Sequence, residues 1–295
     1  MDPALEQLGW SEDQWNRICT TVTEEAERTR VAAQILPVVG PEDPSTVAVP
    51  AYSLSLTRNS APPPSQRMEV SSDPTLYLTS ISVLVELGGR EVADPTLSAA
   101  LTMFRRAANV IARAEDALVF NGRTDAGINQ ASLLPQIFGV NQVPPSRVAG
   151  LLDSKKFRIS APYNGNTIVK AIFEAIGNLD SAGFSGPFAC ALDQRAFDAI
   201  CTPNHALVMP RDRVLPFLQG GGLVRASTIP NKSAPFLVRG AVIALSGNPV
   251  ELVVATDINV TYLQTTVATE PRRVFRVSER VALRIKEQNA IAIIT

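Results

Sequence analysis

Apolar and polar positions alternate with a period of two through the last third of the chain, and "FRVSERVALRIK" (residues 275–286) shows the pattern at its longest. One face carries Phe275, Val277, Glu279, Val281, Leu283 and Ile285, and the other Arg276, Ser278, Arg280, Ala282, Arg284 and Lys286. This is the mark of a half-buried strand. Glu279 breaks the pattern, because it stands in the middle of the apolar face. A buried carboxylate must be paired, protonated or a ligand, since an isolated buried charge is too costly to keep.

Helical spacing opens the chain. "WSEDQW" places Ser11 as an N-cap with Gln14 three residues on, and Trp10 and Trp15 at the positions of a hydrophobic staple. Trp15, Ile18, Val22, Ala26 and Ala33 then form a thin apolar stripe up to a stop at Pro37. Such a helix lies on the surface of a body. From 46 to 90, "TVAVPAYSLSLT" and "TLYLTSISVLVEL" alternate around a proline-rich tip, which predicts a long two-stranded hairpin. Two such strands are unstable alone and must be covered by the chain or by a neighbour.

Asp94 and Pro95 predict the start of a strong helix in which Leu97, Leu101, Phe104, Ala108 and Ile111 recur at helical spacing, with Gly122 as its stop. About 25 residues make a rod of roughly 37 Å, suited to a spine. Residues 126–235 mix elements: a helix ended by Gly183, a buried strand "PFACALD", a helix breaking into the loop "CTPNHALVMP", and a glycine-rich turn into a strand. Residues 236–295 read as nearly all strand. The fold class is α+β.

Composition narrows the partners. The 295 residues carry a formal net charge of −1, with 19% charged and 45% hydrophobic positions, so no basic excess attracts nucleic acid or an anionic membrane. Low net charge also favours a protein that lives assembled. Cys19, Cys190 and Cys201 form no CxxC pair, which points to a reducing cytoplasm, and the acidic beginning of the chain does not read as a secretion signal. No apolar run approaches the ~18 residues of a membrane span.

The chemistry of catalysis is thin. His205 is the single histidine and no GxSxG elbow accompanies it, so a hydrolase rests on that residue alone. Gly220, Gly221 and Gly222 lack the spacing of a phosphate or dinucleotide loop and read as a tight turn. The pairs Glu24–Glu25 and Glu115–Asp116 have the residue types of metal ligands but no ExxH partner. The expectation is a protein that is not an enzyme, with no cofactor and no metal.

Several phrases taken in order resemble one family. "WSEDQW", "ILPVVGP", "AEDALVFNG", "GPFACALD", "QGGGLVRASTIPN", "ELVVATDINVTYL" and "FRVSERVALRIKEQNAI" are similar to the encapsulins, nanocompartment shell proteins related to tailed-phage major capsid proteins and also labelled linocin-type bacteriocins. The resemblance spans residues 11–293 and is weakest over 46–90. It implies a tailed-phage major capsid-like fold: an N-terminal arm and helix (1–45), an extension loop (46–92), a peripheral domain with the spine helix (93–125 and 236–295) and an axial domain (126–235).

The resemblance further implies a cytoplasmic icosahedral shell of sixty or more copies around a cargo enzyme, of peroxidase or ferritin-like type, held by a short targeting peptide. The alternative is a prophage major capsid protein that packages DNA. The cargo groove would be built from Val22, Ala33 and Ile35 on the helix side and Asp257, Ile258 and Tyr262 on the strand side, with a peptide Lys or its main chain reaching Asp257. The loop with Thr202, Pro203, Asn204, His205 and Ala206 would line a fivefold pore, where protonation of a ring of histidines admits anions as pH falls. Glu279 becomes structural, paired with a spine arginine (Arg105, Arg106 or Arg113). Two departures stand out. Val85 replaces the Trp of flavin-binding members, so flavin binding is not carried over. Ala33 and Pro37 replace an Arg and an acidic residue that help grip cargo peptides.

Overall fold

The computed structural model describes residues 8–59, 65–71, 75–124, 127–128, 148–154, 156–203, 208–229, 237–266 and 270–295. Helix α1 (Glu12–Thr29) starts as its sequence predicts. Ser11 Oγ accepts from Gln14 N at 3.2 Å, and the Gln14 side chain accepts from Ser11 N at 2.9 Å. The Trp10 and Trp15 rings lie 6.3 Å apart, and Trp10 Nε1 donates to Val92 O at 2.9 Å.

The helix ends earlier than Pro37. Arg30 turns extended (φ −58°, ψ 129°), and a separate short helix, α2 (Ala32–Ile35), follows. The reason is a carboxylate from elsewhere: Asp116 Oδ1 accepts from Val31 N at 2.9 Å and from Ala32 N at 2.7 Å, capping the new helix. Leu36, next to Pro37, is extended, as a residue preceding proline prefers.

Strands β1 (Val38–Val39), β2 (Ala48–Pro50), β3 (Ser53–Asn59), β4 (Ser65–Ser71), β5 (Thr75–Tyr77) and β6 (Thr79–Leu87) come next. The predicted hairpin forms at its base, where β2 pairs with β5, but β3 pairs with β4, a segment the sequence pattern assigns to the tip. β6 leaves the hairpin for the main sheet, because Thr79, Ile81, Val83, Val85 and Leu87 are all buried on one face and need a core to face.

After α3 (Gly89–Ala93), the spine helix α4 (Ser98–Asn121) begins four residues beyond Asp94. Asp94 instead holds the turn before it, accepting from Thr96 N at 2.9 Å and Ser98 N at 3.0 Å, while Leu97 takes a left-handed φ of 53°. Gly122 stops the helix as expected. At φ +66° it has no room for a side chain, since a Cβ would lie 2.3 Å from Val148 O. A short pair, β7 (Arg123–Thr124) and β8 (Gly127–Ile128), follows the helix.

The remaining elements are β9 (Phe157–Ile159), α5 (Gly165–Ser181), β10 (Phe188–Leu192), α6 (Gln194–Cys201), α7 (Pro210–Val214), β11 (Leu223–Arg225), β12 (Gly240–Ala244), β13 (Val250–Thr265), β14 (Arg273–Ile285) and β15 (Ile291–Ile294). They complete two sheets, one ordered β1-β13-β14-β6 and one ordered β11-β10-β12-β15-β9. Of residues 236–295, β13 and β14 build the first sheet, whereas β12 and β15 are central strands of the second.

The central strands β10, β12 and β15 of the second sheet are buried on both faces. Ala189, Ala191, Ala241, Ile243, Ile291 and Ile293 belong to the core shared with α1, α4 and the first sheet. Phe188, Cys190, Leu192, Val242, Ala244, Ala292 and Ile294 belong to a second core, under α5 and α6. That is why "FACAL", "GAVIA" and "IAII" are continuous apolar runs instead of alternating ones. Phe275 is the hub of the first core, with its ring 5.4 Å from Trp10 and Phe104 and 5.5 Å from Tyr262. Val85 faces this core at 2% exposure.

Candidate functional site

The stripe of α1 continues by steps of four from Ile18 through Val22 and Ala26 to Arg30. Arg30 therefore points inward, and it is 9% exposed. Its guanidinium meets three carboxylates: Glu279 Oε2 at 2.5 Å, Glu115 Oε2 at 2.7 Å and Asp257 Oδ1 at 2.9 Å. The contact with Glu279 is a hydrogen bond donated by Nη2, whereas Nε approaches Glu115 without the alignment of one. The partner of Glu279 is thus Arg30 and not a spine arginine. Arg105 and Arg106 are exposed on the far face of α4, and the buried face of that helix supplies a carboxylate, Glu115, in their place.

One cation shared with the exposed Asp257 cannot balance the two glutamates of the dry interior. Burial first, and then the nearby Glu279 carboxylate, push Glu115 well above the usual carboxylate range. Burial likewise raises Glu279 to about 7, against the pull of Arg30. Asp116, beside them, rises to about 6 by burial, held back by the N–H groups of Ala32 and Val31. Glu115 and Asp116 are 1% and 2% exposed and are engaged by Arg30 and by the α2 cap, which replaces the metal-ligand reading of that pair. Glu25 of the other pair forms an ion pair with Arg28 at 2.5 Å. Among the described residues no group of three metal-binding side chains occurs.

Arg30 also forms the floor of a cleft of about 210 Å³, lined by Ala33, Val38, Pro41, Leu252, Val254 and Asp257. Its wall is built by backbone: β1 runs parallel to β13, with Val38 opposite Leu252, and Gly40 (φ +126°) brings the chain so close that a Cβ would meet Val254 O at 2.1 Å. Two of the six groove residues expected from the sequence, Ala33 and Asp257, come together in this cleft. Val22, Ile35 and Ile258 are 1%, 4% and 7% exposed and are packed into the core. Tyr262 packs its ring at a tilt against Phe275, and its hydroxyl lies 2.7 Å from Thr265 Oγ1. The resemblance pointed to residues near the cleft, but not to which of them turn their side chains into the core.

Of the expected pore loop, Thr202 and Pro203 follow α6 and are exposed, while Asn204, His205 and Ala206 lie outside the described residues. Arg30 itself was missed by motif reasoning. The signal for it was its place on the stripe, four residues after Ala26. A second buried cluster anchors the hairpin. Glu251 accepts from Arg284 and, at 2.7 Å, from Lys286, and Arg284 Nη1 also donates to Pro50 O at 3.2 Å.

Comparison with known proteins agrees with this architecture. A virus-like particle protein from Pyrococcus furiosus is 15% identical with a TM-score of 0.63, covering 96% of this chain and 99% of that one. The capsid of Myoviridae phage XM1 (11% identity, TM-score 0.55, 88% and 89% coverage) and a chain from Mycobacterium phage Adephagia (13%, 0.57, 93% and 89%) share the fold. Among the described residues no helix is long and apolar enough to cross a membrane. The family model described as "encapsulating protein for peroxidase" matches residues 6–132 and 139–282, so the chain, with its tailed-phage capsid fold, belongs to the linocin M18 family of encapsulating shell proteins.

Proposed function

We propose that this chain is a non-enzymatic shell subunit that closes with sixty or more copies of itself, by icosahedral symmetry, around a cargo protein in the cytoplasm. The observation that carries this reading is the match of the encapsulating-protein family to nearly the whole chain, together with a capsid fold. The family description supports a peroxidase-type cargo; a ferritin-like one is the second choice. The alternative, a prophage capsid that packages DNA, shares the fold but is not favoured by a net charge of −1.

The cleft at Ala33 and Asp257 is the docking place for the peptide tail of the cargo. Its apolar walls fit one or two side chains of an extended segment, and it is too small for a drug-sized ligand.

Electron microscopy of the purified protein tests the assembly: uniform, megadalton-scale particles free of nucleic acid are expected. A stable monomer at micromolar concentration would end the shell reading, and particles filled with DNA would favour the capsid. For the cleft, Asp257→Arg should leave shells intact and abolish co-purification of native cargo.

A further inference from the structure

Arg30 is shared between two places. One Nη2 atom contacts both Glu279 Oε2, at 2.5 Å in the interior, and Asp257 Oδ1, at 2.9 Å at the mouth of the cleft. The Asp257 side chain is 59% exposed, while those of Glu115 and Glu279 are at most 1% exposed. The guanidinium therefore bridges a wet carboxylate, in reach of any ligand in the cleft, and a dry pair of carboxyls that no ligand touches.

We propose that Arg30 links occupancy of this cleft to the protons of the Glu115–Glu279 pair, so that the cleft takes a peptide carrying a cation beside an apolar side chain and grips it more tightly as pH rises. The inference rests on the cleft being the peptide-docking place. The chemistry runs as follows. A Lys or Arg of the peptide pairs with Asp257 and neutralises it, and its apolar neighbour occupies the space between Ala33, Val38 and Leu252. Arg30, no longer shared, serves the two glutamates alone, and Asp257 no longer repels Glu279. Both changes make it easier for the pair to lose a proton, and that proton leaves to solvent.

Other charged groups face the pair without reversing this sign. Asp116, on the same helix, raises the proton affinity of Glu115, and its own carboxylate is held by Val31 and Ala32 N–H and lies in the field of Arg113. Arg28 and Arg225 line the neighbouring cleft beyond Asp116. On β6, the residue opposite Glu279 is the apolar Ile81. The raised proton affinity of Glu279, to about 7, sets the working range near neutrality. Linkage caps the effect at tenfold per pH unit for one whole proton, and a partial release across two units gives about three- to tenfold.

The test uses the full chain, co-expressed with a fluorescent protein bearing randomised eight-residue tails, and recovers the tails that co-purify with assembled particles. Recovered tails are expected to be enriched, relative to the input pool, in Lys or Arg within two residues of Leu, Ile or Val. Synthetic peptides of those sequences, bound to particles opened and reclosed in their presence, should bind about three- to tenfold more tightly at pH 8 than at pH 6. The variant carrying Glu115→Gln and Glu279→Gln holds the protonated shape permanently and should give a flat profile at the weaker value. Recovered tails without cation enrichment, or an unchanged affinity from pH 6 to 8 in the native protein, overturn the proton link and leave the docking place standing. Recovery that survives Ala33→Trp, which fills the cleft, or no recovery of any tail, overturns the docking place and the link together.

Discussion

Arg30 and Glu279 lie 249 positions apart in the chain and meet at 2.5 Å, the guanidinium of the first helix closing on the one carboxylate in the apolar face of β14. The pair, with Glu115, fastens three separate segments: the arm, the spine and the main sheet.

Removing the cation strands the anions. Arg30→Met is expected to cost about 3–5 kcal/mol, as breaking one side of a buried ion pair does. In particles this should appear as a fall of about 5–15 °C in the melting midpoint and as lost soluble yield. Adding Glu115→Gln and Glu279→Gln to Arg30→Met should recover much of the loss, because the two interior carboxylates that Arg30 served are then gone. A triple variant as unstable as the single one would mean that Arg30 acts through packing alone.

Stability should fall as pH rises from about 4 to 7. Burial moves Glu279 from 4.5 to about 7 and Asp116 from 3.8 to about 6, so the unfolded chain releases these protons first. The folded state then binds more protons, which favours it at low pH by up to about 1.4 kcal/mol per unit for each group. Below pH 4 both states hold these two protons and above 7 both have lost them, so their part of the dependence flattens at each end, while Glu115, raised well above the usual range by burial and by Glu279, carries the fall to higher pH. Melting midpoints of particles between pH 4 and 8.5 read it directly. Glu279→Gln should remove the upper part of the slope, whereas a slope unaltered in that variant would assign the protons elsewhere.

Asp116→Ala removes the cap of α2, leaving Val31 and Ala32 N–H without their carboxylate. A loss of about 1–3 kcal/mol is expected. It should be concentrated locally, as faster amide exchange at 31 and 32 and new protease cleavage between 30 and 37, with the spine helix still protected. Uniform loss of protection throughout the chain would contradict a local capping role.

Gly122→Ala combines a left-handed φ of +66° with overlap against Val148 O at 2.3 Å, and Gly150 N lies at 2.5 Å on the same side. The backbone conformation alone costs about 1 kcal/mol, and the overlap adds to it. Gly183→Ala, at φ +93° with nothing within 4 Å, carries only the conformational cost. Soluble yield and melting midpoint should therefore fall further for Gly122→Ala than for Gly183→Ala.

What the sequence revealed was mostly local. Ser11 and Gln14 are three residues apart and their capping box forms as read, and Gly122 ends the spine where its backbone freedom is needed. Glu279 was legible as an anomaly because a strand has only two faces. Its partner was not, since no pattern within β14 encodes a side chain at position 30. The same limit explains the hairpin. β3, β4 and β6 all have strand-like character, and only the core beneath β6 decides that it pairs with β14. The break in α1 at Arg30 was hidden because the capping residue, Asp116, comes from another helix.

The order of the second sheet bears on how the chain emerges from a ribosome. Among the described strands β9 pairs with β15 alone, and β15 follows it by roughly 130 residues. At 5–20 residues per second, β9 waits about 7–26 s for its neighbour. During that interval the nascent chain carries an unpaired strand with Phe157 and Ile159 uncovered, open to a holding chaperone or to a strand from the next polysome-bound copy. A subunit completes its sheet only after β15 has left the exit tunnel, so translation itself delays the moment at which finished copies can begin to join.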